Sequence, residues 1–311
     1  MSWLLWRQHR RQGGFALGVL AAFGVLLWIT GVDMAHTYRA ALADCTASRT
    51  CGELQLFQGW GPLFNLVNFT ALVPVLVGVF WGATVVGREL EAGTNRLVWT
   101  QSVTRSQWLR SKIALLLISS TAVGAAVAAL VTWWSRTSNS LHQNRFDGLP
   151  FDIQGVAPIG YTLFAAALGL ACGVLWRRTL PAIATTLGVF FVVRLVVESW
   201  VRPHYRTPVT SLGALGSGHV GTPGSWVLST AIQVHGRTLA GGRITLPEAC
   251  AGAATRQASA DCLTKAGYAE VTKYQPAGRY WTFQLTELAI FLVLAAVLAV
   301  VAVVALKRQD A

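Results

Sequence analysis

A short polar stretch, residues 87–112, sets two glutamates among basic residues in a chain that has few charges elsewhere. The stretch reads GRELEAGTNRLVWTQSVTRSQWLRSK, with Glu89 and Glu91 near its beginning and Lys112 at its end. Carboxylates in such a stretch can fix the register of a docked partner, and apolar residues between the charges can supply affinity. The chemistry that these residues favour is therefore recognition.

Catalytic chemistry would need residue patterns that the sequence does not contain. There is no GxxxxGK[ST], whose backbone amides and lysine cradle nucleotide phosphates, and no HExxH or GxSxG. There is also no cluster of Asp and Glu that could hold magnesium. The sequence thus predicts no catalytic residue, no metal site and no cofactor held by this chain, so that energy for any work must come from a separate subunit.

Four of the five cysteines form two closely spaced pairs, Cys45 with Cys51 and Cys250 with Cys262. Disulfides persist outside the reducing cytosol, and both pairs fall in segments that the charge pattern places outside. We expect two local disulfides. Metal binding is the less favoured alternative, because neither spacing resembles a zinc site and no histidine pair accompanies them. Cys172 lies in an apolar stretch and is predicted to be a small packing residue.

The rest of the chain has the composition of a membrane protein. Charged residues make up 12% of 311 residues, hydrophobic residues make up 53%, and the mean hydropathy is +0.49. A membrane helix needs about 20 mainly apolar residues. Six stretches meet this requirement, the fifth being interrupted by Arg194 before it continues to Trp200; they are residues 12–32, 61–87, 113–135, 153–176, 179–200 and 288–306.

The distribution of basic residues predicts the orientation of these spans. With the amino terminus inside, the inner segments hold twelve Lys and Arg, and the two short outer loops hold four. Cytoplasmic loops retain basic residues, so both termini and residues 87–112 are expected to be cytoplasmic. The same rule accounts for the net charge of +12, and nucleic-acid binding is not expected because no basic helix face stands outside the loops.

Three charged residues lie within or next to the apolar spans. Arg194 is deep in the fifth span, Glu198 follows it by one helical turn, and Glu287 stands at the start of the sixth span. A charge in the membrane is costly and is normally paired. Arg194 is therefore expected to form an intramembrane charge pair that pins the spans together, with Glu198 as the nearest partner and Glu287 as another candidate. A contact to substrate or a gate is the alternative.

The polar stretch itself has the pattern of a helical hairpin. Residues 88–92 are strong helix formers, and Gly93 supplies a stop because glycine adopts the left-handed conformation that ends helices. Thr104 and Gln107 have the spacing of a capping box for a second helix. Between the two helices lies an apolar patch, residues 97–99, which either dips into the lipid headgroups or fits a groove on a soluble partner.

These residues resemble the cytoplasmic loop of type-2 ATP-binding-cassette (ABC) exporter permeases, of the actinobacterial kind. In that loop two acidic residues precede Gly-Thr and an apolar patch, and a Ser-Val or Pro-Val follows with Arg close by and Lys further on. Ser102 stands where many relatives carry proline. The matching positions are Glu89, Glu91, Gly93, Thr94, Leu97, Val98, Val103, Arg105 and Lys112.

The resemblance implies that the stretch is a coupling helix that docks on an ABC ATP-binding subunit. ATP and magnesium would be held by that partner, and two permease subunits, identical or different, would flank the pathway in contact with membrane lipid. The residues that the resemblance assigns to the docking surface are Glu89, Glu91, Gly93, Thr94, Leu97, Val98, Trp99 and Arg105.

The sequence thus predicts an all-α, multi-pass protein of the bacterial plasma membrane, which exports a hydrophobic or amphipathic substrate. Its expected parts are a cytoplasmic interfacial segment at 1–12, five spans at 13–200 with the coupling loop at 87–112, an extracytoplasmic segment at 201–282, and a sixth span with a cytoplasmic tail at 283–311. The alternatives are an ion-coupled transporter working alone, which should have carboxylates near the midplane, and a membrane-embedded enzyme acting on lipid.

Overall fold

Six helices in the computed structural model of the chain have the length and apolar composition of membrane spans. They are Leu17–Ala43, Gly61–Glu91, Arg110–Trp134, Ala157–Trp176, Thr179–His204 and Ala277–Arg308, called spans one to six below. The structure describes residues 2–48, 60–93, 105–142, 145–146, 148–215, 224–239, 250, 252 and 255–308. The prediction of a multi-pass membrane protein is confirmed by these helices.

Several helices extend beyond the stretches expected from the sequence. Span one belongs to a single helix, Ser2–Ser48, which also takes in the predicted interfacial segment. Span three continues a helix that begins at Arg105, and two short helices, Arg136–His142 and Gly148–Ile153, precede span four. The helix of span six runs from Tyr280 to Arg308 after a single turn at Ala277–Arg279.

The chain divides into two compact units, and the first contains most of the spans. It comprises residues 1–141, 152–191 and 287–311. Span four is the most buried helix, since 83% of its apolar window lies inside the protein. Small residues let it occupy this position, because Ala and Gly allow neighbouring backbones to approach closely.

Glycines spaced four residues apart bring spans two and four into backbone contact. Gly78 and Gly82 on span two face Gly169 and Gly173 on span four, and a Cβ atom on Gly169 would lie 2.1 Å from the carbonyl oxygen of Gly78. Span two forms a π-helical turn at Gly78–Ala83 along this contact. Any side chain larger than hydrogen would therefore push the two helices apart.

Span one packs on span three through a second apolar cluster. Leu27 and Met34 are fully buried beside Val131 and Trp134. The indole Nε1 of Trp134 donates a hydrogen bond of 3.1 Å to the hydroxyl oxygen of Thr30. This bond satisfies the only polar group of a large buried side chain, which would otherwise be costly in an apolar core.

The second unit, residues 142–151 and 192–286, contains an antiparallel sheet. Its strands are β1 (Val209–Gly213), β2 (Trp226–Val234), β3 (Arg237–Thr238) and β4 (Tyr268–Gln275), in the order β1-β4-β2-β3. A helix at Arg256–Lys265 begins at Thr255, whose hydroxyl oxygen accepts a hydrogen bond from the amide of Ala258. Cys250 and Leu263 form a small core with Leu215.

The prediction of an all-α chain is wrong for this unit. Strand β1 alternates partly buried and exposed residues over VTSLG, and β2 does so over its first four residues, which is the period of a sheet with one covered face. The strands are stabilised mainly by pairing across the unit, with Val209 opposite Tyr274 and Val234 opposite Tyr268.

Candidate functional site

The candidate site is the end of span two, where the polar stretch begins. The helix Thr84–Glu91 is followed by Ala92 and by Gly93, whose φ of +67° lies in the left-handed region. The amide of Ala92 still donates to the carbonyl of Arg88, at 3.0 Å, which closes the last helical turn. The predicted helix stop at Gly93 is therefore confirmed.

Glu89 forms an ion pair with Lys112, at the start of span three. The Lys112 ammonium lies 2.5 Å from Oε1 of Glu89 and donates a second hydrogen bond of 3.1 Å to the carbonyl of Val85. The Lys112 side chain is only 2% exposed, against 22% for Glu89. A buried cation needs such partners because leaving it unpaired would cost several kcal/mol, roughly 3–5 for a fully buried pair. The pair links spans two and three.

Glu91 caps the first turn of span five. Its Oε2 accepts hydrogen bonds from the backbone amide of Thr179, at 3.0 Å, and from the hydroxyl of Thr179, at 2.6 Å. The first amides of a helix have no partner within the helix, and the helix dipole favours negative charge there. Arg177 just before it adopts the left-handed conformation, with φ of +52°, and this separates span five from span four.

Both glutamates thus contact the chain's own helices. The resemblance placed them on the surface that meets a partner, whereas the structure gives each one an intramolecular hydrogen bond to a different helix. The pairing was not readable from the sequence, because Lys112 lies 23 residues from Glu89 and Thr179 lies 88 residues from Glu91. Thr179 was missed altogether, although a threonine at the start of an apolar stretch is a helix-start signal.

The rest of the predicted docking surface lies largely outside the described residues. This applies to Thr94, Leu97, Val98 and Trp99. The backbone of Arg105 begins the helix Arg105–Trp134, one residue after the predicted capping threonine. The site as described therefore consists of two helices on either side of residues 94–104, joined by the ion pair of Glu89 with Lys112.

The predicted intramembrane charges are placed on spans five and six. Arg194 and Glu198 are both half-buried, four residues apart, with Glu198 in the π-helical turn Val197–Val201. Glu287 is fully buried, and its Oε1 accepts a hydrogen bond of 2.6 Å from the hydroxyl of Tyr161 on span four. Tyr161 was not singled out from the sequence. Glu287 thereby links spans four and six, while its predicted interaction with Arg194 stays a prediction.

One of the two predicted disulfides is present in the described structure. Cys250 and Cys262 are bonded, with their Cα atoms 5.7 Å apart. Cys45 lies on the first helix, and Cys51 falls outside the described residues, so the other pairing stays a prediction. Cys172 is a buried free thiol, as its place in an apolar stretch predicted.

Comparison with known proteins gives one match. The model of a family described as ABC-2 membrane transporter related matches residues 17–202, which is more than half of the chain and includes the whole polar stretch at 87–112. No curated protein and no solved structure matches the chain.

Proposed function

Because the chain belongs to the ABC-2 membrane transporter related family, and is thus an ABC transporter permease that works with an ATP-binding subunit, we propose that it serves in ATP-driven export. The exported substrate is hydrophobic or amphipathic, and the ATP-binding subunit holds ATP and magnesium. Two permease subunits, identical or different, flank the pathway. The family match supports the permease itself, and the arrangement at the end of span two supports the route by which ATP hydrolysis would act on the spans.

The observation that carries this proposal is the fixing of both sides of residues 94–104. On one side, Glu89 and Glu91 hold the end of span two. On the other, Lys112 holds the start of span three through the same ion pair. A segment that transmits displacement must not slide at its attachments, and rigid helices with hydrogen-bonded ends meet that requirement.

In this proposal the ATP-binding subunit docks on residues 94–105 from the cytoplasm. Leu97, Val98 and Trp99 supply apolar contact area, and Arg105 contributes a charge at the rim. When ATP drives two such subunits together, the displacement passes to spans two and three through Glu89 and Lys112. The contact of Glu91 with Thr179 passes the same displacement to span five.

Docking through the apolar patch is tested by removing its side chains. The combined substitution Leu97→Ser, Val98→Ser and Trp99→Ser should abolish co-purification of the ATP-binding subunit and ATP-dependent uptake into inverted vesicles. Leu212→Ser is the matched control, since it changes an apolar side chain on β1 that is 68% exposed.

Both variants should purify as monodisperse protein with the Cys250–Cys262 disulfide intact. Retained co-purification and retained ATP-dependent uptake in the triple variant would contradict the docking role. Transport by the permease alone, driven by an ion gradient without ATP, would instead identify the ion-coupled class.

A further inference from the structure

A groove with a volume of about 690 Å³ runs along span two within the first unit. It is bordered by span one at Phe23 and by span three at Val123, and its floor includes Val73 and Val77. Its rim is exposed, since Phe69 and Phe80 are each 66% accessible. The groove therefore opens to the surroundings of the spans rather than into a closed core.

The two threonine hydroxyls that line the groove are already satisfied by their own helix. The hydroxyl of Thr70 donates to the carbonyl of Val67 at 2.6 Å, and the hydroxyl of Thr84 donates to the carbonyl of Phe80. Among the described lining residues, the other polar side-chain atoms belong to Trp81 and Arg88. The rest of the lining is apolar and is complementary to a hydrocarbon chain, because burial of apolar surface is the main favourable contribution to binding there.

One charged residue stands at the end of the groove. Arg88 lines it three residues before the end of span two, and its side chain is exposed. Among the residues that the structure describes, no carboxylate pairs with its guanidinium. Guanidinium groups bind phosphate with two parallel hydrogen bonds, so the groove combines an apolar channel with an anion-binding end.

The dimensions favour a hydrocarbon chain over a protein helix. The lining extends from Leu66 to Arg88, which is about 33 Å at the rise of an α-helix and close to the roughly 30 Å of a bilayer core. The whole empty space of the groove is about 1670 Å³, which is less than the roughly 2,600 Å³ that the body of a helix about 10 Å wide fills over that length. A phospholipid acyl chain spans one leaflet, about half of this length, so one extended alkyl chain fits the half of the groove between Leu76 and Arg88.

We propose that the groove binds one acyl chain of an anionic membrane phospholipid, with the phosphate of its headgroup on Arg88. This inference does not depend on the docking of the ATP-binding subunit. Its failure would leave the coupling proposal untouched, and the reverse also holds, because lipid retention is measured without ATP.

The experiment compares the lipids that the full-length permease retains. The protein is reconstituted in vesicles of equal phosphatidylglycerol and phosphatidylcholine, extracted in mild detergent and analysed by native mass spectrometry. Wild-type protein should retain phosphatidylglycerol about fivefold over phosphatidylcholine, the preference expected for one basic residue at the membrane surface. Arg88→Gln should remove the preference. Arg110→Gln should keep it, because Arg110 is an exposed cation on span three that does not line the groove.

A second pair of variants tests the apolar channel. Leu76→Trp places a large ring in the groove and should reduce the retention of both lipids, whereas Val189→Trp, at an exposed position on span five, should not. The proposal would be overturned if Arg88→Gln kept the preference for phosphatidylglycerol, or if Arg88→Gln and Arg110→Gln lost it equally. It would also be overturned if Leu76→Trp retained both lipids in full. A loss of dimer without a loss of lipid in Leu76→Trp would do the same, since a second permease would then occupy the groove.

Discussion

Glu89 and Glu91 show how two identical side chains, two residues apart, contact different helices. Glu89 compensates the charge of Lys112, which is almost fully buried, and Glu91 accepts from both donors of Thr179. Along a helix, residues two apart do not face each other, so the two carboxylates point towards different neighbours. The end of span two is thereby connected to span three through Lys112 and to span five through Thr179.

At the residue scale, the role of Glu91 can be separated from direct docking. If Glu91 acts through Thr179, then Glu91→Ala and Thr179→Val should both lower ATP-driven transport several-fold while the ATP-binding subunit still co-purifies. The reason is that each variant removes a hydrogen bond at the start of span five. Uptake into inverted vesicles and the amount of co-purified subunit are the two measurements.

The matched control for this pair is Thr185→Val, because the hydroxyl of Thr185 donates to the carbonyl of Pro181 within its own helix. It should transport normally. If Glu91→Ala loses the ATP-binding subunit and Thr179→Val retains full transport, Glu91 contacts the partner directly and its bond to Thr179 is incidental.

At the element scale, the contact between spans two and four depends on the absence of side chains. Gly78 and Gly169 approach so closely that each would place a Cβ within 2.5 Å of a carbonyl oxygen on the other span. In lipid, helices associate through packing rather than through expulsion of water, so close backbone approach supplies much of the attraction. The π-helical turn in span two widens the helix at the same level.

We expect Gly169→Ala to destabilise the permease by roughly 1–3 kcal/mol, the usual cost of forcing an extra methyl group into a packed core. The measurement is the temperature at which half of the detergent-solubilised protein remains monodisperse. Gly188→Ala is the control, because a Cβ at this position on span five meets nothing within 4 Å. Equal midpoints for the two variants would show that the spans separate at no cost.

The spans and the sheet differ in how far the sequence determines them. Long apolar runs predicted all six spans, although Arg194 interrupts the fifth, because only a helix satisfies its own backbone over such a length in lipid. The sheet was missed, because β1 has five residues and pairs with β4, whose sequence lies some sixty residues further on. A short strand has no local signal comparable to a span, and its pairing depends on contacts distant in sequence.

The sequence predicted the candidate site only in part: the helix stop was predicted, and the contacts between helices were not. Gly93 was recognised as a helix stop because a glycine that follows strong helix formers commonly ends the helix in the left-handed conformation. The ion pair of Glu89 with Lys112 was not predicted, although both residues were in the recognised pattern, because the sequence does not show how two helices cross. Contacts such as that of Glu287 with Tyr161, on different spans, depend wholly on how the helices pack.

For the whole molecule, the orientation of the chain decides whether residues 94–104 meet an ATP-binding subunit at all. Exposed Ala92, beside the segment, and the Cys250–Cys262 disulfide are predicted to lie on opposite sides of the membrane. In a background where Cys45 and Cys51 are serine, a membrane-impermeant maleimide should label Ala92→Cys only after the cells are permeabilised. In the same Cys45 and Cys51 background without Ala92→Cys, the maleimide should label intact cells only after an impermeant reductant has opened the Cys250–Cys262 disulfide.

Cys172 provides an internal reference in the labelling experiment, because it is buried and should stay unlabelled in both conditions. The result follows from the excess of basic residues in the loops that share the side of Ala92 and from the persistence of disulfides outside the cytosol. Labelling of Ala92→Cys in intact cells would place residues 94–104 outside, away from any ATP. The apolar patch would then require an extracytoplasmic partner, and the force for transport would have to enter the spans by another route.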